Sequence, residues 1–209
     1  MPLDTHRFAQ LRPYLYHLTA GRNVASIRRL REIRCARVLL DSASLSSLAP
    51  RRRLSHLSVQ IDGEAVIIRD QKPLTAGAIA FEAGWDLERF VRHVNEHVFF
   101  WPGGPTGPIK AGLNHFERYK SECLSILRVP TRDFAPPAAA FCRYNSGAPR
   151  CSAGKYSPRG AETYLDASRF GGRPSDVVEV VAINTCPVPQ SAEVAATLDG
   201  PWLPLYGVA

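Results

Sequence analysis

The sequence predicts an α+β domain, and two observations lead to that prediction. Short apolar segments typical of strands are interspersed with amphipathic segments typical of helices, without the regular βαβ succession of a parallel-sheet protein. The chain has 209 residues, 45% of them hydrophobic and 22% charged, which is an ordinary composition for one globular domain. We therefore expect residues 1–209 to form a single domain, with its core at about residues 14–189.

The first half of the chain contains two predicted helices and two predicted strands. Tyr14-Leu-Tyr-His-Leu18 predicts a strand, and Asn23 is expected to be the N-cap of a basic amphipathic helix. Residues 41–56 are expected to form a loop or a weak helix, and residues 65–68 a strand. Asp86 is expected to cap a second helix, whose apolar face contains Leu87, Phe90, Val91 and Val94.

The second half begins with an aromatic strand, Val98-Phe-Phe-Trp101, which follows His97 directly and is stopped by Pro102. A third helix near residues 113–119 and a strand over residues 124–129 come next. Residues 134–174 look irregular, and a stretch of that length inside a compact domain is usually functional or mobile. A strand over residues 175–183 follows, and the tail is proline-rich with a last apolar run near Leu203.

Glu179 is the most informative residue of the chain. It interrupts a run of β-branched residues, Val177-Val-Glu-Val-Val-Ala-Ile183, that is typical of a strand covered on both faces. Glutamate is rarely fully buried, so one interpretation is an edge strand from which Glu179 points to solvent. The other is a buried carboxylate, which is costly unless it is paired, hydrogen-bonded or used in function.

The positive charge of the chain is concentrated in residues 21–53. This segment contains nine arginines against only Glu32 and Asp41, a net charge of +7 that equals the charge of the whole chain. Arginine is suited to bidentate contact with phosphate, so the segment indicates a surface for a nucleotide or a nucleic acid. The alternative is a solvated helix face followed by a basic loop.

Several classes of protein find no support in the sequence. No apolar run reaches the roughly 18 residues of a membrane span, and the first residues lack the pattern of a signal peptide, so we expect a cytoplasmic protein without membrane contact. Five scattered cysteines favour reduced thiols over a disulfide framework or a zinc ribbon. No GxGxxG segment follows a predicted strand, and no GKS or GKT phosphate loop is present.

Three patterns occur in an order that resembles the DarT-type ADP-ribosyltransferases, toxins that modify DNA bases with NAD. An early Tyr16-His17-Leu18-Thr19 precedes Asn23 and a helix, and the aromatic strand His97-Val-Phe-Phe-Trp-Pro102 follows in the middle of the chain. The strand with Glu179 then precedes Pro187-Val-Pro189. The chain departs from the family after the aromatic strand, where Pro102-Gly-Gly-Pro stands in place of Pro-Arg-Ser.

The resemblance implies a mixed sheet core with flanking helices and an enzyme that uses NAD as a substrate. Glu179 would be catalytic and stabilise the charge that develops when the nicotinamide–ribose bond breaks. His17 would hold the dinucleotide by hydrogen bonds, although a lone histidine in a strand is more often structural. The essential arginine of the family has three candidates, Arg52, Arg53 and Arg69, and the predicted NAD-binding set is His17, Thr19, Asn23, Arg53 and Arg69.

The acceptor implied by the resemblance is DNA or RNA, and an antitoxin is a possible further partner. The irregular stretch from Tyr156 to Ser175 is expected to be the substrate-recognition loop and to place Arg159, Arg169 and Arg173 near the acceptor. The residues expected to contact its phosphates are Arg28, Arg29, Arg31, Arg51, Arg52, Arg159 and Arg173.

Two other interpretations are open at the level of sequence. A protein of the same fold that binds nucleic acid without catalysis would share the basic segment and would tolerate substitution of Glu179. A zinc hydrolase is indicated by His93-Val-Asn-Glu96-His97, whose HxxEH spacing places two histidines on one helix face. Because His97 adjoins a predicted strand, the helix is expected to end there, and no third ligand is evident, so we expect no metal.

Overall fold

An antiparallel sheet of eight strands organises the fold. The computed structural model describes residues 1–75, 77, 79–147 and 158–207. In these ranges the α-helices are Thr5–Leu11 (α1), Asn23–Leu30 (α2), Ala36–Ser42 (α3), Leu87–Asn95 (α4) and Lys110–Arg118 (α5). The strands are Tyr14–Ala20 (β1), Glu32–Arg34 (β2), Leu57–Ile61 (β3), Glu64–Ile68 (β4), His97–Gly104 (β5), Gly107–Pro108 (β6), Leu124–Pro130 (β7), Ala139–Cys142 (β8), Glu179–Ile183 (β9), Thr185–Pro187 (β10), Glu193–Ala195 (β11) and Leu203–Pro204 (β12).

The order of strands in the large sheet is β12-β11-β7-β1-β5-β9-β8, and β6 pairs with the end of β5. All of these strand pairs are antiparallel. The aromatic strand β5 therefore lies between β1 and β9, with Tyr16 opposite Trp101 on one side and Val180 opposite Phe100 on the other. Two further antiparallel pairs, β10 with β2 and the β3–β4 hairpin, lie outside this sheet. The expected α+β class is confirmed in this form.

Alternation along the central strands produces a core on each face of the sheet. Leu15 packs with Phe100 and Leu127 in one hydrophobic cluster, which α1, α2 and the β2–β10 pair also cover. Its neighbour in sequence, Tyr16, packs on the other face with Trp101 in the cluster that α5 covers. The strand predicted at residues 14–18 is thus confirmed as buried on both sides, and it extends to Ala20.

Helix α5 approaches the sheet closely through Gly112. A Cβ atom at this position would lie 2.7 Å from the Cβ atoms of both Trp101 and Pro108. The absence of a side chain therefore sets the distance between α5 and β5. The third predicted helix is confirmed, although Leu113, one of the residues that indicated it, is exposed.

The basic helix α2 is confirmed, but the expected N-cap is wrong. Asn23 is the first residue of the helix rather than its cap, and the capping position belongs to Arg22, whose side chain makes no capping bond. The Asn23 amide instead pairs with the backbone of Ile67: its Oδ1 accepts from the Ile67 N–H at 2.8 Å, and its Nδ2 donates to the Ile67 carbonyl at 2.9 Å. Asn23 therefore fastens the β3–β4 hairpin to α2.

The strand that contains Glu179 is shorter than expected. Residues Pro174–Asp176 form a 3-10 turn, and β9 begins at Glu179, so the carboxylate lies at the start of the strand and not in its middle. Because β9 has β5 on one side and β8 on the other, the edge-strand interpretation is wrong. Only 1% of Glu179 is exposed.

Other elements agree with or add to the expectations from sequence. Asp86 caps α4 by accepting from the Arg89 N–H at 2.8 Å, as expected. Helix α3 begins before the segment expected to be a loop or weak helix, and Ser46–Leu48 forms a 3-10 turn within it. Helix α1 and strand β8 were not expected from the sequence. Within the described ranges none of the helices combines the length and apolar character needed to cross a bilayer.

The cysteines in the described part of the chain are free thiols, as expected; they are Cys35, Cys123, Cys142 and Cys186. Cys151 lies outside the described residues, as do the first residues of the stretch from Tyr156 to Ser175 that was expected to recognise the acceptor.

We expect Gly112→Ala to destabilise the protein, although alanine is the better helix former. The added methyl group would collide with Trp101 and Pro108, and overpacking of this kind costs about 1–3 kcal/mol. Urea unfolding would measure the change in the free energy of unfolding. Gly104→Ala is the matched control, because no atom lies within 4 Å of a Cβ there, and its effect should stay within about 0.5 kcal/mol. Equal stability of the two variants would contradict close packing of α5 on β5.

Candidate functional site

A pocket of about 250 Å³ lies where β1, β5 and β9 meet α2 and the β3–β4 hairpin. The residues that line it come from widely separated parts of the sequence. Among them are all the residues predicted to be catalytic or to bind NAD: His17, Thr19, Asn23, Arg53, Arg69 and Glu179. The fold therefore brings this predicted set together in one place.

Glu179 lies at the buried end of this pocket with one carboxylate oxygen held firmly. Its Oε2 accepts from the Ser146 hydroxyl at 2.6 Å and from the Ser146 N–H at 3.0 Å. Burial raises the pKa of Glu179 from 4.5 to about 7, against the two Ser146 hydrogen bonds and the positive charge of Arg159, which lower it. The group is therefore poised to change its charge near neutral pH.

His17 presents a neutral imidazole to the pocket. Its Nδ1 donates to the carbonyl oxygen of Phe99 at 2.8 Å, which leaves Nε2 as the unprotonated nitrogen. Burial, together with the nearby charge of Arg69, lowers the pKa of His17 to about 4. At pH 7 this side chain can therefore accept a hydrogen bond from a ligand hydroxyl but cannot act as a cation.

Thr19 and Asn23 contribute to the wall of the pocket differently. The Asn23 Nδ2 donates to Thr19 Oγ1 at 3.2 Å in addition to the Ile67 carbonyl, so both amide hydrogens are engaged within the protein. We conclude that Asn23 positions the hairpin beside the pocket rather than donating to a ligand. Thr19 is buried and its hydroxyl oxygen accepts from Asn23.

Arg53 and Arg69 bring incompletely satisfied guanidinium groups to the pocket. Arg53 donates through Nε to the Arg69 carbonyl at 3.0 Å and through a terminal nitrogen to Asn95 at 2.9 Å. Its other terminal nitrogen is buried without a partner in the part of the chain described here. The same is true of two nitrogens of Arg69, whose guanidinium lies 4.0 Å from the centre of the Tyr119 ring.

These guanidinium groups remain charged at neutral pH. Burial lowers the pKa of Arg53 to about 10, and it lowers the pKa of Arg69 as well. Buried polar groups in proteins nearly always have hydrogen-bond partners, but three guanidinium nitrogens and the Oδ2 atom of Asp70 in this pocket have none among the described residues. The three donors can bind an anionic group, beside the negative charge of Asp70 that acts on both arginines. Arg52, the third candidate for the NAD arginine, does not line the pocket and instead donates to the Lys72 carbonyl at 2.7 Å.

Most of the basic segment is engaged within the protein. Arg28 donates to the Leu205 carbonyl at 2.7 Å, Arg29 pairs with Glu64 at 3.1 Å, and Arg31 lies 4.5 Å from the centre of the Tyr206 ring. Arg51 is exposed and lines, with Arg52, a surface depression separate from the pocket. The segment is thus only in part the free phosphate-binding face that its sequence indicates.

The expected contact of Arg159 with nucleic-acid phosphates is corrected by its burial. The side chain is completely inaccessible, its Nε donates to the Ser146 carbonyl at 3.3 Å, and its guanidinium lies 4.2 Å from the centre of the Tyr144 ring. Arg173, by contrast, is exposed and pairs with Asp176 at 3.1 Å, three residues along the chain. Arg169 likewise pairs at the surface with Glu162.

The HxxEH residues do not form a three-ligand metal site in the described part of the chain. Helix α4 ends at Asn95, so His97 belongs to β5, and its Nδ1 donates to the His93 carbonyl at 2.7 Å. The His93 ring packs 4.9 Å from the His97 ring and lies 3.6 Å from Glu96. Helix termination before His97, which the sequence led us to expect, is confirmed.

A different trio, His56, Asp70 and Glu122, could in principle hold a metal ion. In this structure, however, His56 already completes its hydrogen bonds with these residues. Its Nε2 donates to Glu122 at 2.8 Å, and its Nδ1 accepts from the Asp70 N–H at 3.0 Å. His56 therefore forms a hydrogen-bonded link between Asp70 and Glu122, whereas the Oδ2 atom of Asp70 is buried without a hydrogen-bond partner among the described residues.

Three residues of the site could not be identified from the sequence. Ser146 comes from the irregular stretch, and Asn95 connects Arg53 to Gln71 through its Oδ1. His115 stacks on Trp101 with 4.3 Å between the ring centres, and burial lowers its pKa to about 3. Their roles depend on contacts across long sequence separations, and no local pattern signals them.

We expect Glu179→Gln to change the pH dependence of stability. Because the folded pKa of Glu179 is raised, its stabilising contribution is complete below about pH 4.5 and is lost as the pH rises through about 7. Glutamine cannot ionise, so the variant does not lose stability in this way. Its free energy of unfolding, relative to that of the unmodified protein, should therefore increase by roughly 2–4 kcal/mol as the pH is raised from acidic values to pH 8.

Urea unfolding at several pH values measures this difference directly. Glu88→Gln, at an exposed position in the first turn of α4, is the matched control and should show no comparable trend. A Glu179→Gln difference that is independent of pH would mean that the carboxylate is not desolvated in the folded protein.

Comparison with known proteins assigns a family but no activity. No curated protein and no solved structure matches the chain. The match to a protein family extends over residues 13–191, which include all the strands of the sheet except β11 and β12 and every residue of the pocket described above. The chain therefore belongs to the family of unknown function DUF7002.

Proposed function

We propose that this protein is an NAD-dependent ADP-ribosyltransferase. The observation that carries the proposal is the convergence of Glu179, His17 and two arginines with unmatched donors, Arg53 and Arg69, in one pocket. These groups suit a ligand with sugar hydroxyls next to phosphates. The resemblance of the sequence to DarT-type enzymes narrows that ligand class to NAD.

The chemistry of each group fits a position along a dinucleotide. A neutral His17 accepts from a ribose hydroxyl, whereas the guanidinium groups of Arg53 and Arg69 donate to the pyrophosphate. A pocket of about 250 Å³ lies at the small end of ligand sites, so it encloses a nucleoside-sized part of NAD and not the whole molecule. The remainder would lie across the open side of the pocket.

Glu179 would act on the ribose attached to nicotinamide. Its carboxylate would accept a hydrogen bond from a ribose hydroxyl and stabilise the oxocarbenium-like charge that develops as the bond to nicotinamide breaks. Nicotinamide leaves with the bonding electrons, the acceptor nucleophile forms a bond to the same carbon, and the proton that the nucleophile carried passes to solvent. Only the ionised carboxylate stabilises this charge, so activity should rise with pH through about 7.

A nucleic acid is the proposed acceptor, as in the DarT-type enzymes. Arg51 supports this proposal, since it is exposed and has no ion-pair partner among the described residues. Arg28, Arg29, Arg31 and Arg52 already have partners within the protein, so their contact with phosphates would compete with those partners. An antitoxin partner is proposed on the resemblance alone.

The decisive experiment measures nicotinamide release from NAD after addition of DNA, RNA or protein. We expect release that depends on an acceptor, and Glu179→Gln should reduce its rate at least about 100-fold, the loss typical of removing one preorganised electrostatic group. Glu117→Gln, at an exposed position of α5 that lines neither the pocket nor the depression beside Arg51, serves as the control and should keep full activity. Nucleic-acid binding that persists with no release by the unmodified protein would favour a non-catalytic binding protein.

Arg69 should contribute to NAD affinity through its planar guanidinium. Arg69→Lys keeps the positive charge but removes the paired donors, and we expect NAD to bind about 10- to 100-fold more weakly. Calorimetric titration with NAD measures the change, with Arg51→Gln as a control outside the pocket that should alter affinity by no more than about twofold. Equal affinities for Arg69→Lys and the unmodified protein would remove Arg69 from the site.

A further inference from the structure

Glu179 is held by a turn from a distant part of the sequence. Both hydrogen bonds from Ser146 end on Oε2, at 2.6 Å and 3.0 Å, and only 1% of each residue is exposed. Oε1 receives no hydrogen bond from the described residues. One oxygen is thus committed to the protein, and the other is not, in the pocket that Glu179 and Ser146 both line.

The side chain of Arg159 holds the turn that contains Ser146. Its Nε donates to the Ser146 carbonyl at 3.3 Å, so the backbone of Ser146 is held between the carboxylate and the guanidinium. The Arg159 backbone is itself fixed, because its N–H donates to Ala80 at 2.8 Å and its carbonyl accepts from Glu82 at 3.0 Å. A continuous path of hydrogen bonds therefore runs from the segment before α4 to Glu179.

We propose that Ser146 and Arg159 are positioning residues for Glu179, fixing Oε2 in place so that Oε1 is presented to the substrate ribose. This inference rests on the proposed function for its catalytic consequence, although the arrangement itself belongs to the folded protein. Arg159 acts on Glu179 through its hydrogen bond to Ser146 and through its positive charge. It would not contact the substrate itself. A Ser–Glu–Arg unit of this kind explains why a fully buried arginine occurs in a segment that otherwise looks like a surface loop.

The charge environment of Glu179 supports this role. The neighbouring ionisable groups are the Cys142 thiol, the Tyr164 hydroxyl and Arg159, and burial raises the pKa of both Cys142 and Tyr164, so these two are neutral. Arg159 is the cation that acts on Glu179 among the described residues, and with the Ser146 bonds it opposes the effect of burial on the carboxyl pKa. Removing either residue should favour the protonated carboxylic acid.

The test follows the Glu179 carboxyl directly by NMR in protein labelled at the glutamate side-chain carboxyl carbon, with Glu179→Gln used to assign the signal. Ser146→Ala should move the titration midpoint upward by about one to two units, since a hydrogen bond to a charged group is lost. Ser42→Ala is the matched control: it removes one hydroxyl that donates to the Val38 carbonyl at an exposed position that does not line the pocket, and it should leave the midpoint unchanged.

Turnover gives the second readout. A midpoint that rises by one unit from about 7 should slow Ser146→Ala about fivefold at pH 7, with the rate recovered at higher pH and little change in KM. A purely structural defect would not recover with pH. Arg159→Lys, which keeps the charge but changes the donor to Ser146, should shift the midpoint less than Ser146→Ala and provides a second variant if the latter unfolds.

The outcomes separate this inference from the proposed function. An unchanged Glu179 midpoint in folded Ser146→Ala overturns the positioning role whether or not the protein releases nicotinamide. A shifted midpoint with an unchanged pH profile of turnover also overturns it. A shifted midpoint in a protein that never releases nicotinamide supports the Ser146 contact and overturns the ADP-ribosyltransferase proposal.

Discussion

The position of β5 between β1 and β9 is the constraint on which the site depends. Adjacent strands lie about 4.8 Å apart, so one intervening strand places the His17 and Glu179 strands about 10 Å from each other. The aromatic residues of β5 make it stable as a central strand, because Phe100 and Trp101 are buried on opposite faces of the sheet.

The charge states of the ionisable side chains in the pocket are determined more by desolvation than by ion pairing. Burial neutralises His17 and His115 and raises the proton affinity of Glu179, whereas the guanidinium groups of Arg53 and Arg69 stay charged. Arg118 and Asp70 also line the pocket. A low-polarity cavity strengthens every remaining electrostatic interaction within it. The cavity thus combines a carboxyl group that holds its proton more tightly than usual with guanidinium groups that can donate hydrogen bonds to an anion.

The sequence predicted the elements whose patterns are local. The strand of His17, the helices α2, α4 and α5, and the Asp86 cap follow from apolar periodicity and capping chemistry within a few residues. The side chain of Asn23 was wrongly predicted as a cap because its real partner, Ile67, is 44 residues away. Arg159 was predicted to contact phosphates at the surface for the same reason. The composition of the sequence around it does not indicate that its side chain is buried against Ser146 and Tyr144.

The amide of Asn23 has a consequence for the energetics of ligand capture. This amide accepts a hydrogen bond from the Ile67 N–H and donates one to the Ile67 carbonyl, as the backbone of a neighbouring strand would. Ile67 lies two residues before Arg69. The hairpin, which ends just before Arg69, lies outside the main sheet and is joined to α2 partly by this single side chain, so a local opening of the hairpin would displace Arg69. By thermodynamic linkage, any anion held by Arg69 must also protect the backbone amides of this hairpin from hydrogen exchange.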